Sequence, residues 1–252
     1  MSKPDLFFDI ETGPTDNQAI IDAAIAAIEA PANFKDADKI AAYKADKAAS
    51  VIDKLGLDAT TGRIVSLGWA VNADEPTAIR CACHRDELFH AVDGAQVLRN
   101  PKFATTDSAE KANLERFFRL VAERLDRDDV DSDEPRIVGH YVGSFDVKFV
   151  AQRAMILGAA LPAWWPMAPK PWGNEILDTR LVWTGGNNQE HMKLDKLCRA
   201  LGLPGKGDVD GSDVARLFAE RKFDEILAYN RDDVAKVQAV VARFRIAYGD
   251  RI

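Results

Sequence analysis

Cysteine is nearly absent from this 252-residue chain: only Cys81, Cys83 and Cys198 occur. So sparse and odd a set argues against a disulfide framework and fits a reducing cytoplasm. Cys81 and Cys83 form a C-x-C pair in a stretch that reads as strand, a weak metal signal beside which a structural role is the better reading. Long apolar runs are missing too, and none reaches the ~18 residues of a membrane span. The opening MSKPDLFFDIET carries an acid inside its short apolar run and lacks a small-residue cleavage site, so it does not read as a signal peptide. Positive charge is also scarce: 33 Lys and Arg stand against 40 Asp and Glu, a net charge of −7. Proteins that grip long duplexes are usually basic, which disfavours that class. A protein that holds only a few terminal nucleotides needs less positive charge, and bound divalent cations reverse the sign of an acidic site. What is present, 47% hydrophobic and 29% charged residues, is an ordinary globular balance able to bury a sizeable core. The length fits one domain, residues 1–252, carrying an insertion.

Residues 5–11, DLFFDIE, read as a strand, followed by strands over 63–71 and 77–83. The fifty residues between the first two exceed any ordinary hairpin loop. Two Ala-rich helical stretches, 17–30 and 35–56, fill that gap, so 13–62 is expected to be a helical insertion. Residues 108–125 form an amphipathic helix with Leu114, Phe117, Phe118, Val121 and Leu125 on one face. The acidic run 126–135 reads as a solvated connection. A short buried strand at 137–140 follows, then a helix from a Ser144 cap to about Leu157, a Trp-rich loop, a short strand at 175–179, and helices near 193–201, 211–220 and 222–246. The order predicts an α/β fold: a mixed five-stranded sheet flanked by helices.

Three acidic clusters stand out. In Asp9-Ile10-Glu11 the two carboxylates are two apart on a strand and share a face. Like charges side by side on an apolar strand repel unless a cation lies between them. With 40 acids in 252 residues, such a pair alone is close to chance. The second cluster, Gly139 through Asp146, turns from the buried strand into a helix and puts Asp146 in its first turn, where an acid also suits the helix dipole. Phe145 and Phe149 anchor that helix. In the third, Tyr229 and Asp233 are four apart on one helix face. Asp233 borders the apolar stripe Leu227, Val234, Val237, Val241 and Phe244, while Asp232 points away from it.

In order and spacing these clusters resemble the DEDD superfamily of 3′–5′ exonucleases, on the ribonuclease H-like fold. The first motif is Phe8-Asp9-Ile10-Glu11-Thr12, the second Gly139-His140 through Phe145-Asp146, and the third Tyr229 through Asp233-Val234, the tyrosine variant. The run from Leu194 to Gly207, with Asp210 to Val214, is similar to the predicted exonucleases related to family B DNA polymerase proofreading domains. The resemblance implies hydrolysis of phosphodiester bonds at the 3′ end of single-stranded DNA. It implies two divalent cations, Mg²⁺ or Mn²⁺, held by Asp9, Glu11, Asp146 and Asp233, with Tyr229 orienting the attacking water and nucleoside 5′-monophosphates as products. Hard oxygen ligands suit those metals. Thr12, His140, Tyr141, Phe145 and Lys148 fall at substrate-side positions. Tyr141 departs from the pattern, which usually has Asn there.

Single strands are held by aromatic stacking and local positive charge. Further candidates for that grip are Trp164, Trp165, Trp172 and Lys206, with loop packing the plain alternative for the tryptophans. Lys35, Lys39, Lys44, Lys47 and Lys54 would form either a basic lid or a solvated helix face. Two other functions share the same motifs: trimming of RNA 3′ ends, and a non-catalytic binding module on the same fold. Loss of any of the four carboxylates would favour the module, and all four are present.

Overall fold

The structure, a computed structural model, describes residues 3–92, 96–99, 105–127, 134–168, 170, 173–205 and 211–252. Trp172, Lys206, most of the acidic run at 126–135 and the segment 206–210 lie outside the described residues.

A five-stranded sheet organises the chain, in the order β3-β2-β1-β6-β7. Its strands are β1 (Asp5–Pro14), β2 (Gly62–Val71), β3 (Thr77–Arg80), β6 (Arg136–Gly139) and β7 (Ile176–Asp178). β1 is central, antiparallel to β2 and parallel to β6, and β6 runs parallel to β7. The expected mixed five-stranded sheet is therefore present. Two short strands, β4 (Phe89–Val92) and β5 (Gln96–Arg99), pair separately as an antiparallel hairpin.

β1 is apolar on both faces because helices cover both. Leu6, Phe8 and Ile10 enter a core with Leu114, Phe117 and Val121 of α3 (Thr106–Asp126) and Val147 and Val150 of α4 (Asp146–Leu157). Phe7 faces the other way, onto Val234, Val237 and Val241 of α8 (Phe223–Tyr248). Each such buried side chain is worth about 1.5–3 kcal/mol relative to exposure. α3 starts at a Thr105–Ser108 capping box, and its acid Glu110 is buried against Arg153 of α4. Ser144 does not cap α4. The N-cap is Phe145, without a side-chain capping bond.

α1 (Gln18–Ala26) and α2 (Ala37–Leu55) fill the connection from β1 to β2, and neither has a fully buried residue. Cys81 and Cys83 fall just past β3, with Cys81 buried and joined to β2 through its N–H to the Val65 carbonyl at 2.8 Å. α5 (Thr179–Trp183), α6 (Leu194–Ala200) and α7 (Val214–Ala219) complete the described helices. None of them is long and apolar enough to cross a membrane.

Candidate active site

The three acidic clusters meet at one end of the sheet. Asp9 and Glu11 project from β1 toward α8, and a register shift between Glu11 and Thr12 marks a β-bulge directly after them. Bulges re-aim side chains and are common beside active sites. From α8, Asp233 joins them: carboxylate oxygens of Asp9, Glu11 and Asp233 all lie within 4.8 Å of one another. Asp146, at the start of α4, is buried and adjoins this triplet, accepting the Ile10 N–H at 3.0 Å. The loop that carries it is fixed by close contact. A Cβ on Gly139 would come within 2.8 Å of the Phe8 carbonyl oxygen, so only glycine lets β6 end so near β1.

Burial and mutual repulsion set the electrostatics of the group. Burial raises the Asp9 carboxyl well above its ordinary value, and the charges of Asp146, Glu11 and Asp233 push it further. Burial pushes Asp146 up to about 7 despite the Ile10 bond. Tyr229 is raised by burial and then by Glu11 and Asp233, so its phenol stays protonated. Its hydroxyl would lie 3.7 Å from a Cβ on Gly211, at the wall of a cleft of about 470 Å³ lined in part by Glu11, Thr12, Lys54, Leu57, Phe145 and Ser212. Lys236 Nζ lies 2.8 Å from Asp233 and 2.7 Å from Asp232. Although burial acts against it, those two acids hold its ammonium above the usual value. Oxygen-only donors from two elements, converging, desolvated and repelling, fit a hard divalent cation.

Sequence reasoning missed the residues that orient the acids. Ser66 Oγ donates to Asn230 Oδ1 at 2.9 Å, and Asn230 Nδ2 donates to Asp9 Oδ2 at 2.6 Å. Gly68, paired with Asp9 in the β1–β2 register, makes room: a Cβ there would come within 2.9 Å of the Asn230 amide. The signal was available, because Asn230 sits in the 234, 237, 241 helical stripe, and a polar residue in an apolar stripe needs a partner. Asp178 is also buried. It caps α5 and accepts the Tyr141 N–H at 2.9 Å.

The substrate-side candidates divide. Phe145 and Lys148 line a second cavity of about 110 Å³ beside the cleft. His140 spends both ring nitrogens internally, Nε2 donating to the Met192 carbonyl at 2.6 Å and Nδ1 meeting the Thr179 hydroxyl at 2.9 Å. Burial lowers its pKa and keeps it neutral. Tyr141 is half-exposed with its ring against Arg180. Trp165 is buried with its ring edge-on to Phe8, and Trp164 packs on Phe118 and Trp165. Both therefore contribute to core packing. Of the lysines at 35–54, Lys54 lines the cleft.

Residues 75–250, about seven-tenths of the chain, match a family described as "Predicted 3'-5' exonuclease related to the exonuclease domain of PolB". The chain belongs to that family. The match includes Asp146, Tyr229 and Asp233 and begins after Asp9 and Glu11. No curated protein matches. Among solved structures, the family B DNA polymerase from the hyperthermophilic archaeon Pyrobaculum calidifontis is similar at a TM-score of 0.51 and 15% identity, over 98% of this chain and 25% of the polymerase. At that identity the likeness speaks for the fold alone. The chain spans about a quarter of that polymerase's length.

Proposed function

We propose that this member of the predicted 3′–5′ exonuclease family hydrolyses single-stranded DNA from its 3′ end and releases nucleoside 5′-monophosphates. The observation that carries the reading is the convergence of Asp9, Glu11 and Asp233 within 4.8 Å, beside Asp146 and Tyr229, at a cleft that Glu11 lines. Asp9, Glu11, Asp146 and Asp233 would hold two divalent cations, Mg²⁺ or Mn²⁺. When bound, such ions activate the attacking water and neutralise charge on the departing 3′ oxygen.

The chain's own groups do the rest. Asn230, backed by Ser66, fixes the rotamer of Asp9. The Ile10 N–H fixes Asp146. Tyr229, held protonated by the acids around it, presents a neutral hydroxyl that orients the attacking water. Phe145, Lys148 and Thr12 contact the terminal nucleotides, and His140 fixes the turn that carries Tyr141 and Asp146.

The test is a 5′-labelled single strand with Mn²⁺ or Mg²⁺. Wild-type protein should produce a ladder shortening from the 3′ end. Asp9→Ala combined with Asp146→Ala should lose at least ~10²–10³-fold in rate, the range for removing one preorganised electrostatic group. Undiminished, metal-dependent degradation by the double variant overturns the assignment. Parallel assays on a matched RNA strand decide between DNA and RNA, which share the same metal chemistry.

A further inference from the structure

Tyr141 occupies a position that does not suit it. Its φ is +66°, in the left-handed region where Asn and Gly are at ease and a bulky aromatic is an outlier. The surrounding structure enforces this conformation. The Tyr141 N–H donates to Asp178, and the Tyr141 carbonyl accepts the Phe145 N–H at 3.1 Å. Core packing does not account for the ring either, because the residue is 38% exposed. Strained residues of this kind cluster at ligand clamps.

Behind the ring lies a second anomaly. Arg180 is only 3% exposed. Its Nε is buried without a hydrogen-bond partner, and among the described residues Arg180 forms no ion pair. Its guanidinium carbon sits 4.0 Å from the Tyr141 ring centroid. A buried, unpaired cation is costly unless something negative completes it. The pair stands beside the acids. β6 runs parallel to β1 with Val138 opposite Phe7, so the turn that follows Gly139 lies next to Asp9.

We infer that Tyr141 and Arg180 form one platform on which a nucleobase of the last two nucleotides of the 3′ end stacks, with the guanidinium adding attraction for the anionic strand. This deepens the exonuclease reading and rests on it. Base–aromatic stacking corresponds to roughly 5- to 100-fold in affinity, and a cation behind the ring adds to it.

Steady-state hydrolysis and anisotropy binding in EDTA would be measured for wild type, Tyr141→Asn, Tyr141→Phe and Arg180→Met, with melting curves to establish that each is folded. Asn tolerates the left-handed backbone, so Tyr141→Asn keeps the turn. The substrates are an intact labelled strand and strands abasic at the last or the next-to-last nucleotide. Expected is a KM roughly 5- to 100-fold higher for Tyr141→Asn with a smaller change in kcat. Tyr141→Phe should stay near wild type, and Arg180→Met should show a smaller rise in KM. One of the two abasic strands should raise the wild-type KM by the same factor and erase the difference between wild type and Tyr141→Asn. Equal KM for wild type and Tyr141→Asn on the intact strand, or an equal effect of the substitution on both abasic strands, overturns the platform while leaving a cutting enzyme in place. An unchanged KM for Arg180→Met overturns the pairing. Wild-type protein that neither binds nor cuts the strand overturns both this inference and the exonuclease reading.

Discussion

Two sets of carboxylates lie against the same sheet, and they are built differently. Glu110, under α3, has its cation supplied: Arg153 donates to both of its oxygens, at 3.0 and 2.7 Å, and the Ile64 N–H adds a third bond at 2.9 Å. Burial raises the Glu110 carboxyl, and those bonds act against it. Asp5 is treated likewise by Arg136 and Arg245. Asp9 and Asp146 receive neutral donors, the Asn230 amide and the Ile10 N–H, and the charges of Asp146, Glu11 and Asp233 repel Asp9. Lys236 reaches Asp233 and is shared with Asp232. The same sheet that gives Glu110 and Asp5 arginine partners gathers Asp9, Glu11 and Asp233 within 4.8 Å of one another, with Asp146 beside them. On the proposed function, the difference separates carboxylates that hold the protein together from carboxylates that would receive a divalent cation.

The comparison breaks most visibly through Glu110→Ala. Removing one partner of a buried pair strands the other charge, and the cost should be about 3–5 kcal/mol, read as a large fall in the denaturation midpoint. A loss under about 1 kcal/mol would mean the pair is not the structural counterpart described. Next in size is Asn230→Ala. As the donor that orients a ligand, its loss should weaken Mn²⁺ binding by roughly 10- to 100-fold, while the protein stays folded. Unaltered affinity would remove Asn230 from the site.

The smallest effects carry the opposite sign. In metal-free protein, Asp9→Asn should stabilise by about 1 kcal/mol, because a desolvated charge amid like charges is removed. pH acts in the same direction. Asp146 has its folded pKa raised to about 7 from 3.8, so between those values the folded state binds more protons than the unfolded one. Stability in EDTA should then fall as pH rises from 4 to 7, and this slope should flatten in Asp146→Asn. A rising slope that Asp146→Asn leaves unaltered would mean that the site's acids are compensated after all.

Much of this arrangement could be read from periodicity. The two-residue spacing put Asp9 and Glu11 on one face of β1, and the four-residue spacing put Tyr229 with Asp233 on α8. The amphipathic α3 and the helices between β1 and β2 followed from their apolar patterns, with α3 beginning two residues earlier than the stripe suggested. Other features depended on long-range partners that no local pattern encodes. Arg153 pairs with Glu110 across 43 positions, and Ser66 with Asn230 across 164. The hairpin of β4 and β5 carries too short an alternation to be distinguished from loop. Ser144 looked like a cap because serine often is one, yet the chain enters α4 through a turn in which Tyr141 already has positive φ. The tryptophans at 164 and 165 were ambiguous for the same reason: a loop that folds back on the core buries its aromatics, and sequence alone does not reveal its path.

The central claim is that Asp9, Glu11, Asp146 and Asp233 form a site for divalent cations, and calorimetric titration of Mn²⁺ into metal-free protein tests it most directly. Wild type should bind Mn²⁺ saturably, and Asp9→Asn, although folded and no less stable, should bind it at least about tenfold more weakly. No binding by wild type, or equal affinity in the two proteins, would contradict the account.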